Sequence, residues 1–353
     1  MNRPLGGIAL SLVVACAAGC TGTIGGADDD GDDGGPVTLA FTTPTAGGEH
    51  PRDTVEPSLG WRAAVVDVEV AVTGAPARVD LSVGDVALGT LDASGRGQAV
   101  LVERGVTTLI ATARDAGGAV VATASVDVTV VEPTVADCLG WLDLYGIPYD
   151  VGPARQGVPD PVTLTTPING IPYRYLGNTG VRPTFFMDCS LARSLLEAAP
   201  HLRARGVVEV TDIGVYNYRC IGSGTPPDCP SGLSQHAYAR GIDIAGFTDA
   251  DGIYYSVNDD WVIDPTSEPT CAAATEGDKD TFLHEVICEL KQHGIWNIVL
   301  TPNYNSAHRN HFHVDLTPGS NFIRKPVAGG ADLAAGDELG AVETRLDLGP
   351  DAH

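Results

Sequence analysis

The residues best equipped for chemistry lie near the C-terminal end, in His308-Arg309-Asn310-His311-Phe312-His313-Val314-Asp315-Leu316. Three imidazoles and a carboxylate fall between His308 and Asp315. From His311 the run alternates: His311, His313 and Asp315 on one side, Phe312, Val314 and Leu316 on the other. Period-two alternation predicts a half-buried strand, with the apolar side in a core and a row of metal-competent groups on the other side. A second cluster lies upstream, Ser234-Gln235-His236-Ala237-Tyr238-Ala239-Arg240-Gly241-Ile242-Asp243. Together the two supply His, Asp and His, a nitrogen and oxygen set suited to Zn2+ with an open coordination position.

The elements that must position these groups are legible nearby. Gly241, Ile242, Ile244, Ala245 and Phe247 predict a strand beginning near residue 241, with Asp243 pointing away from Ile242 and Ile244. A carboxylate between buried aliphatics is costly unless it ligates a metal or accepts hydrogen bonds. His311 and His313, two apart, share one face of a strand. Either both ligate one metal, or one ligates and the other faces substrate. The alternative is a surface strand with solvated histidines. His308 sits in a polar turn with Asn303, Asn305, Ser306 and Asn310, as a second active-site imidazole or as a loop residue.

Leu191 to Arg205 carries Leu191, Leu195, Leu196 and Leu202 at helical spacing and ends at Gly206. Asp280 to His293 repeats the pattern with Phe282, Leu283, Val286, Ile287 and Leu290, stopping at Gly294. Val207 to Tyr218 and Ile295 to Leu300 read as strands. Helices and strands without a βαβ rhythm predict an α+β domain over residues 137–323, a small mixed or antiparallel sheet with flanking helices.

Residues 37–133 differ. They lack cysteine, and short Val, Thr and Leu runs alternate with turn residues. Val65 to Val72 alternates as a strand, and Thr107 to Thr112 and Val120 to Val130 flank Asp115-Ala116-Gly117-Gly118, a hairpin signal. This predicts an all-β immunoglobulin-like sandwich that acts as a spacer.

At the N-terminus, Arg3 and the apolar run Ile8 to Ala18 predict an export signal over residues 1–20, too short to span a bilayer as a helix. The ending Ala17-Ala18-Gly19-Cys20 resembles the lipobox of bacterial lipoproteins, which implies a lipid anchor at Cys20; Val13-Val14-Ala15-Cys16 competes but leaves a shorter apolar run. Ordinary secretion is the alternative. Residues 21–36, with Asp28-Asp29-Asp30-Gly31-Asp32-Asp33, predict a disordered acidic tether, and residues 324–353 a flexible acidic tail. The chain of 353 residues has a formal net charge of −24. That excludes nucleic acid and anionic lipid as electrostatic partners, since both need clustered Lys and Arg. Export makes Cys138, Cys189, Cys220, Cys229, Cys271 and Cys288 read as three disulfides. Gly222, Gly224, Pro226 and Pro227 favour closing Cys220–Cys229. Chain order alone suggests Cys138–Cys189 and Cys271–Cys288.

The pattern Ser234-x-His236, Asp243, His311-x-His313 resembles the zinc peptidases that include D-alanyl-D-alanine carboxypeptidases, murein endopeptidases and the hedgehog signalling domain. Residues 138–317 more closely resemble the extensin-like C-terminal domain of bacterial proteins. The shared features are Tyr218-Arg219-Cys220, Ser234-Gln235-His236-Ala237, Ile242-Asp243-Ile244-Ala245-Gly246-Phe247, Phe282-Leu283, Cys288, Pro302-Asn303-Tyr304-Asn305 and His308-x-x-His311-Phe312-His313-x-Asp315-Leu316. The resemblance implies a hedgehog and DD-peptidase-like fold, with zinc on His236, Asp243 and His313. It implies His311 as general base or transition-state stabiliser, His308 as an additional active-site histidine, and Arg219 as a grip on substrate carboxyl or carbonyl oxygen. Many of the carboxypeptidases carry a Glu base two or three residues before the last zinc histidine. Here those positions are His311 and Asn310, so an imidazole must serve. The expected function is hydrolysis of an amide in peptidoglycan peptides within the cell envelope. The alternative is a non-catalytic, metal-containing cell-wall binding module.

Overall fold

The computed structural model describes residues 35–56, 61–263 and 269–324. The signal segment with Cys20, the tether up to residue 34 and the tail from residue 325 lie outside the described residues. The chain divides into two compact units between Thr134 and Val135.

The first unit is built from strands. In Trp61–Thr73, Val66, Val68 and Val70 turn inward while Asp67 and Glu69 alternate with them, which buries one face. This strand pairs with Thr38–Thr43, Thr54–Glu56 and Arg96–Leu101. A second sheet runs in the order Gly48–Pro51, Val120–Val131, Gly105–Arg114, Arg78–Val83, Val86–Thr90. Val66, Val68 and Val70 of the first sheet share one buried cluster with Leu81, Leu109 and Val128 of the second, so the unit is an all-β sandwich. The expected hairpin is present: the Asp115 carboxylate accepts from the Ala119 amide at 2.8 Å and closes the turn.

The second unit centres on a mixed sheet. Its order is Tyr173–Tyr175, Val207–Gly214, Gly241–Asp249, Phe312–Asp315, Ile298–Leu300, Phe322–Arg324, with Tyr254–Ser256 on the flank of Gly241–Asp249. The outer pairs Tyr173–Tyr175 with Val207–Gly214 and Ile298–Leu300 with Phe322–Arg324 are parallel. The inner pairs are antiparallel. A smaller sheet holds Tyr149–Val151, Pro161–Thr165 and Thr184–Asp188.

The helix Cys189–Ala204 starts two residues before the leucine pattern, because the Asp188 carboxylate accepts from the Ser190 amide at 3.1 Å and caps it. Leu191, Leu195, Leu196 and Leu202 form its buried face. The helix Gly277–Gln292 likewise starts early, and Leu283, Val286, Ile287 and Leu290 are buried. On it, His284 stacks against Trp261 with ring centroids 3.8 Å apart, and Trp261 sets its edge on Phe312 at 5.1 Å. The Gly277–Gln292 helix therefore backs the apolar side of the His313 strand. Among the described residues no helix is long and apolar enough to cross a membrane.

Three expectations change. The strand expected to reach Tyr218 stops at Gly214, where the chain leaves the sheet. The strand expected from Ile295 begins at Ile298, because the Ile295 amide is used to close the preceding helix on the Leu290 carbonyl, 3.1 Å. The His311–Asp315 strand begins at Phe312 and is buried on both faces. Phe312 and Val314 are fully buried, and His311, His313 and Asp315 are nearly so. The imidazole face was expected to be open, but His236 packs against His313 there, and His308 against His311 and His313.

The three disulfides are Cys138–Cys189, Cys220–Cys229 and Cys271–Cys288, as expected.

Candidate metal centre

Antiparallel pairing of Gly241–Asp249 with Phe312–Asp315 sets Asp243 directly across from His313 and Ile242 across from Val314. Partners in register point to the same face, so the aliphatic pair enters the core and the polar pair faces away from it. His236 reaches the same point from a single 3-10 turn, Gln235–Tyr238. Ser234 caps that turn, its hydroxyl accepting from the His236 amide at 3.3 Å. Ala239 ends it in the left-handed region at φ 52°.

His236 Nε2 lies 3.2 Å from Asp243 Oδ1 and 3.1 Å from His313 Nδ1, and His313 Nδ1 lies 2.9 Å from Asp243 Oδ1. The far nitrogens are also engaged. His236 Nδ1–H donates to the Val215 carbonyl at 2.8 Å, and His313 Nε2–H donates to Asp315 Oδ2 at 3.0 Å. With those protons placed, the lone pairs of His236 Nε2 and His313 Nδ1 face the Asp243 carboxylate. Three acceptors converging on one point require a cation between them, a proton or a metal ion.

A tetrahedral zinc with bonds of about 2.0–2.1 Å separates its ligand atoms by about 3.3 Å. The observed separations of 2.9 to 3.2 Å come close to that. The donor set of two imidazoles and a carboxylate, and the outer anchors at Val215 and Asp315, fit zinc. Asp243 keeps 17% of its side chain exposed while both rings are buried, so solvent reaches the cluster from the Asp243 side.

Without metal the proton sits on His313. Burial alone would lower that imidazole's pKa, but hydrogen bonds to Asp243 and Asp315 push it up to about 10. Burial would raise the Asp243 carboxyl; the imidazoles of His236, His311 and His313 gathered around it hold it well below the usual carboxylate range. Burial likewise opposes ionisation of Asp315, and its hydrogen bond with His313 brings it down.

His311 and His308 stand beside the triad. His311 Nε2 lies 3.5 Å from Asp243 Oδ1, and its Nδ1 is 2.8 Å from Asn310 Oδ1. His308 is buried, with its ring centroid 5.2 Å from that of His311 and 5.8 Å from that of His313. Arg219 is half-buried in the segment that runs beside the His236 turn. Its carbonyl accepts from the Ser234 amide at 3.0 Å, and Asn217 donates to the His236 carbonyl at 3.1 Å. The structure thus brings His236, Asp243, His308, His311 and His313 together, with the Arg219 main chain beside the His236 turn. Val215, Asn305 and Asn310 were not anticipated in ring-anchoring roles. Val215 acts through its backbone, which leaves no side-chain signal. The asparagines were visible only as a polar turn.

Residues 172–323 match the family model of the extensin-like protein C-terminus, a span that includes all six. No curated protein matches the chain. Among solved structures the chain is similar to fibronectin(III)-like modules of CbhA from Clostridium thermocellum, at 15% identity and TM-score 0.23, covering 28% of this chain and 99% of that one. It is also similar to Bacteroides uniformis beta-glucuronidase 3, at 17% identity and TM-score 0.20, covering 37% of this chain and 15% of that one. A third is the Bacteroides ovatus mixed-linkage glucan utilization protein SGBP-B, at 12% identity and TM-score 0.21, covering 65% of this chain and 46% of that one. At such scores these likenesses carry no argument, and the sandwich rests on its own strands and core.

Proposed function

We propose that the second unit is a zinc hydrolase of the hedgehog and DD-peptidase type, cleaving an amide bond in peptidoglycan peptides. The observation that carries this reading is the convergence of His236 Nε2, His313 Nδ1 and Asp243 Oδ1 with no donor among them once Val215 and Asp315 have taken the far ring protons. Bound zinc would supply Lewis acidity and a water acidified toward neutral pH.

The protein's own groups would do the rest. His236, Asp243 and His313 would hold the ion. His311 stands next to them with Nε2 toward Asp243, placed to take a proton from the attacking water and return it to the leaving amine. His308, its ring centroid 5.2 Å from that of His311, would be an additional active-site imidazole. Arg219, beside the His236 turn, would grip a substrate carboxylate or carbonyl through charge-assisted hydrogen bonds.

The N-terminal features support an envelope setting: an export signal over residues 1–20, a lipid anchor at Cys20 and the sandwich as spacer. Membrane fractionation of Cys20→Ser tests the anchor, and unchanged membrane association would remove it.

The function is tested by digesting purified murein with wild type and with His311→Ala and reading the products by mass spectrometry. The expected result is new muropeptide ends from wild type and a loss of roughly 10²–10⁴-fold in His311→Ala with zinc retained. Murein binding without cleavage by the zinc-loaded wild type would replace hydrolysis with a cell-wall binding role.

A further inference from the structure

We propose that Asn310 and Asn305 are positioning residues that fix His311 and His308 as Nδ1–H tautomers; the kinetic consequence rests on the hydrolase reading, the tautomers do not. A neutral imidazole has one N–H and one lone pair, and the partner of one nitrogen decides the state of the other.

The Asn305 case is closed by geometry. Its Oδ1 lies 3.2 Å from the His308 main-chain nitrogen and 2.6 Å from His308 Nδ1. A main-chain amide only donates, so the shared atom is the carbonyl oxygen, and His308 Nδ1 must carry the proton. The lone pair of His308 is left on Nε2. Asn305 also caps the 3-10 turn Ser306–His308, so the turn and the tautomer are set by one side chain.

Asn310 does the same at His311. Its Oδ1 lies 2.8 Å from Nδ1, which leaves the lone pair on Nε2, the nitrogen 3.5 Å from Asp243 Oδ1. A flipped tautomer would turn an N–H toward the cluster, and the ring could not accept a proton there.

The chemistry of the anchors sorts the histidines. His313, one of the three converging groups, is held by the carboxylate of Asp315. His311 and His308, outside the three, are held by uncharged amides. An amide selects a tautomer without bringing a charge of its own.

The test is nitrogen NMR of ¹⁵N-histidine-labelled, zinc-loaded protein. Wild type should show His311 and His308 protonated at Nδ1 and bare at Nε2. Asn310→Ala should mix the two tautomers of His311 while zinc content stays the same, and Asn310→Asp, which keeps an acceptor, should restore the Nδ1–H form. In muropeptide cleavage, Asn310→Ala should lower kcat roughly 10–100-fold with KM little changed. An Nε2-protonated His311 in wild type, or an unchanged tautomer in Asn310→Ala, overturns the proposal. If Asn310→Ala does not fold, the wild-type spectrum and the His308 signal in Asn305→Ala decide it. If wild type cleaves no muropeptide, the hydrolase reading fails, while the tautomer spectrum still confirms or rejects the positioning role.

Discussion

Asp243 and His313 are register partners across two antiparallel strands, and their side chains meet at 2.9 Å on the face away from the core. Residues far apart in the chain are thereby brought together by the backbone pairing of the two strands. The ligand pair is preorganised by the sheet, and His236 is the one member delivered by a loop turn.

Removing any member of the converging set should abolish metal binding without unfolding the unit. The core and disulfides do not depend on these side chains. Elemental analysis should find about one zinc per chain in wild type and almost none in Asp243→Ala or His236→Ala. Circular dichroism of the variants should match wild type. A wild-type protein that stays metal-free after zinc dialysis would refute the site.

Metal-free stability should depend on pH in a defined window. Folding raises the His313 pKa from 6.5 to about 10. A group raised in this way stabilises the folded state fully below its unfolded value and loses that contribution as pH rises through the folded one. The Tm of protein in chelator should therefore fall between pH 6.5 and about 10. Zinc replaces the proton, so zinc-loaded protein should lose less over the same window. Thermal melts with and without chelator measure this, and parallel curves would count against the shared proton.

Arg219→Ala should act on substrate more than on chemistry. Its main chain supports the Ser234 end of the His236 turn, and that contact survives the substitution. KM for muropeptide should rise with kcat little changed if the guanidinium grips ground state and transition state alike. An equal fall in kcat and kcat/KM would instead place it on the transition state.

Gly157 touches the site from behind. At φ +85° a Cβ there would sit 2.5 Å from the Ala237 carbonyl oxygen and 3.0 Å from the Tyr218 ring. Gly157→Ala should cost about 2 kcal/mol through backbone strain and this close approach. Because Ala237 follows His236, zinc affinity should weaken as well. Urea midpoints and zinc titration measure both, and an unchanged midpoint would show that the 153–158 segment yields freely.

The sequence by itself determined which residues are chemically competent and much of the local structure around them. Alternation placed Asp243 opposite its aliphatic neighbours and His311 and His313 together, because strand side chains have a period of two whatever the fold. Leucine spacing found both long helices, though not their first turns, since the Asp188 cap belongs to the preceding strand. Tertiary structure alone decided the pairing that closes the 77-residue gap between His236 and His313. It also decided the burial of a face expected to be open, and the anchor of each ring. Those depend on where distant acceptors fall, such as the Val215 carbonyl, and a main-chain oxygen is the same in every residue of the chain.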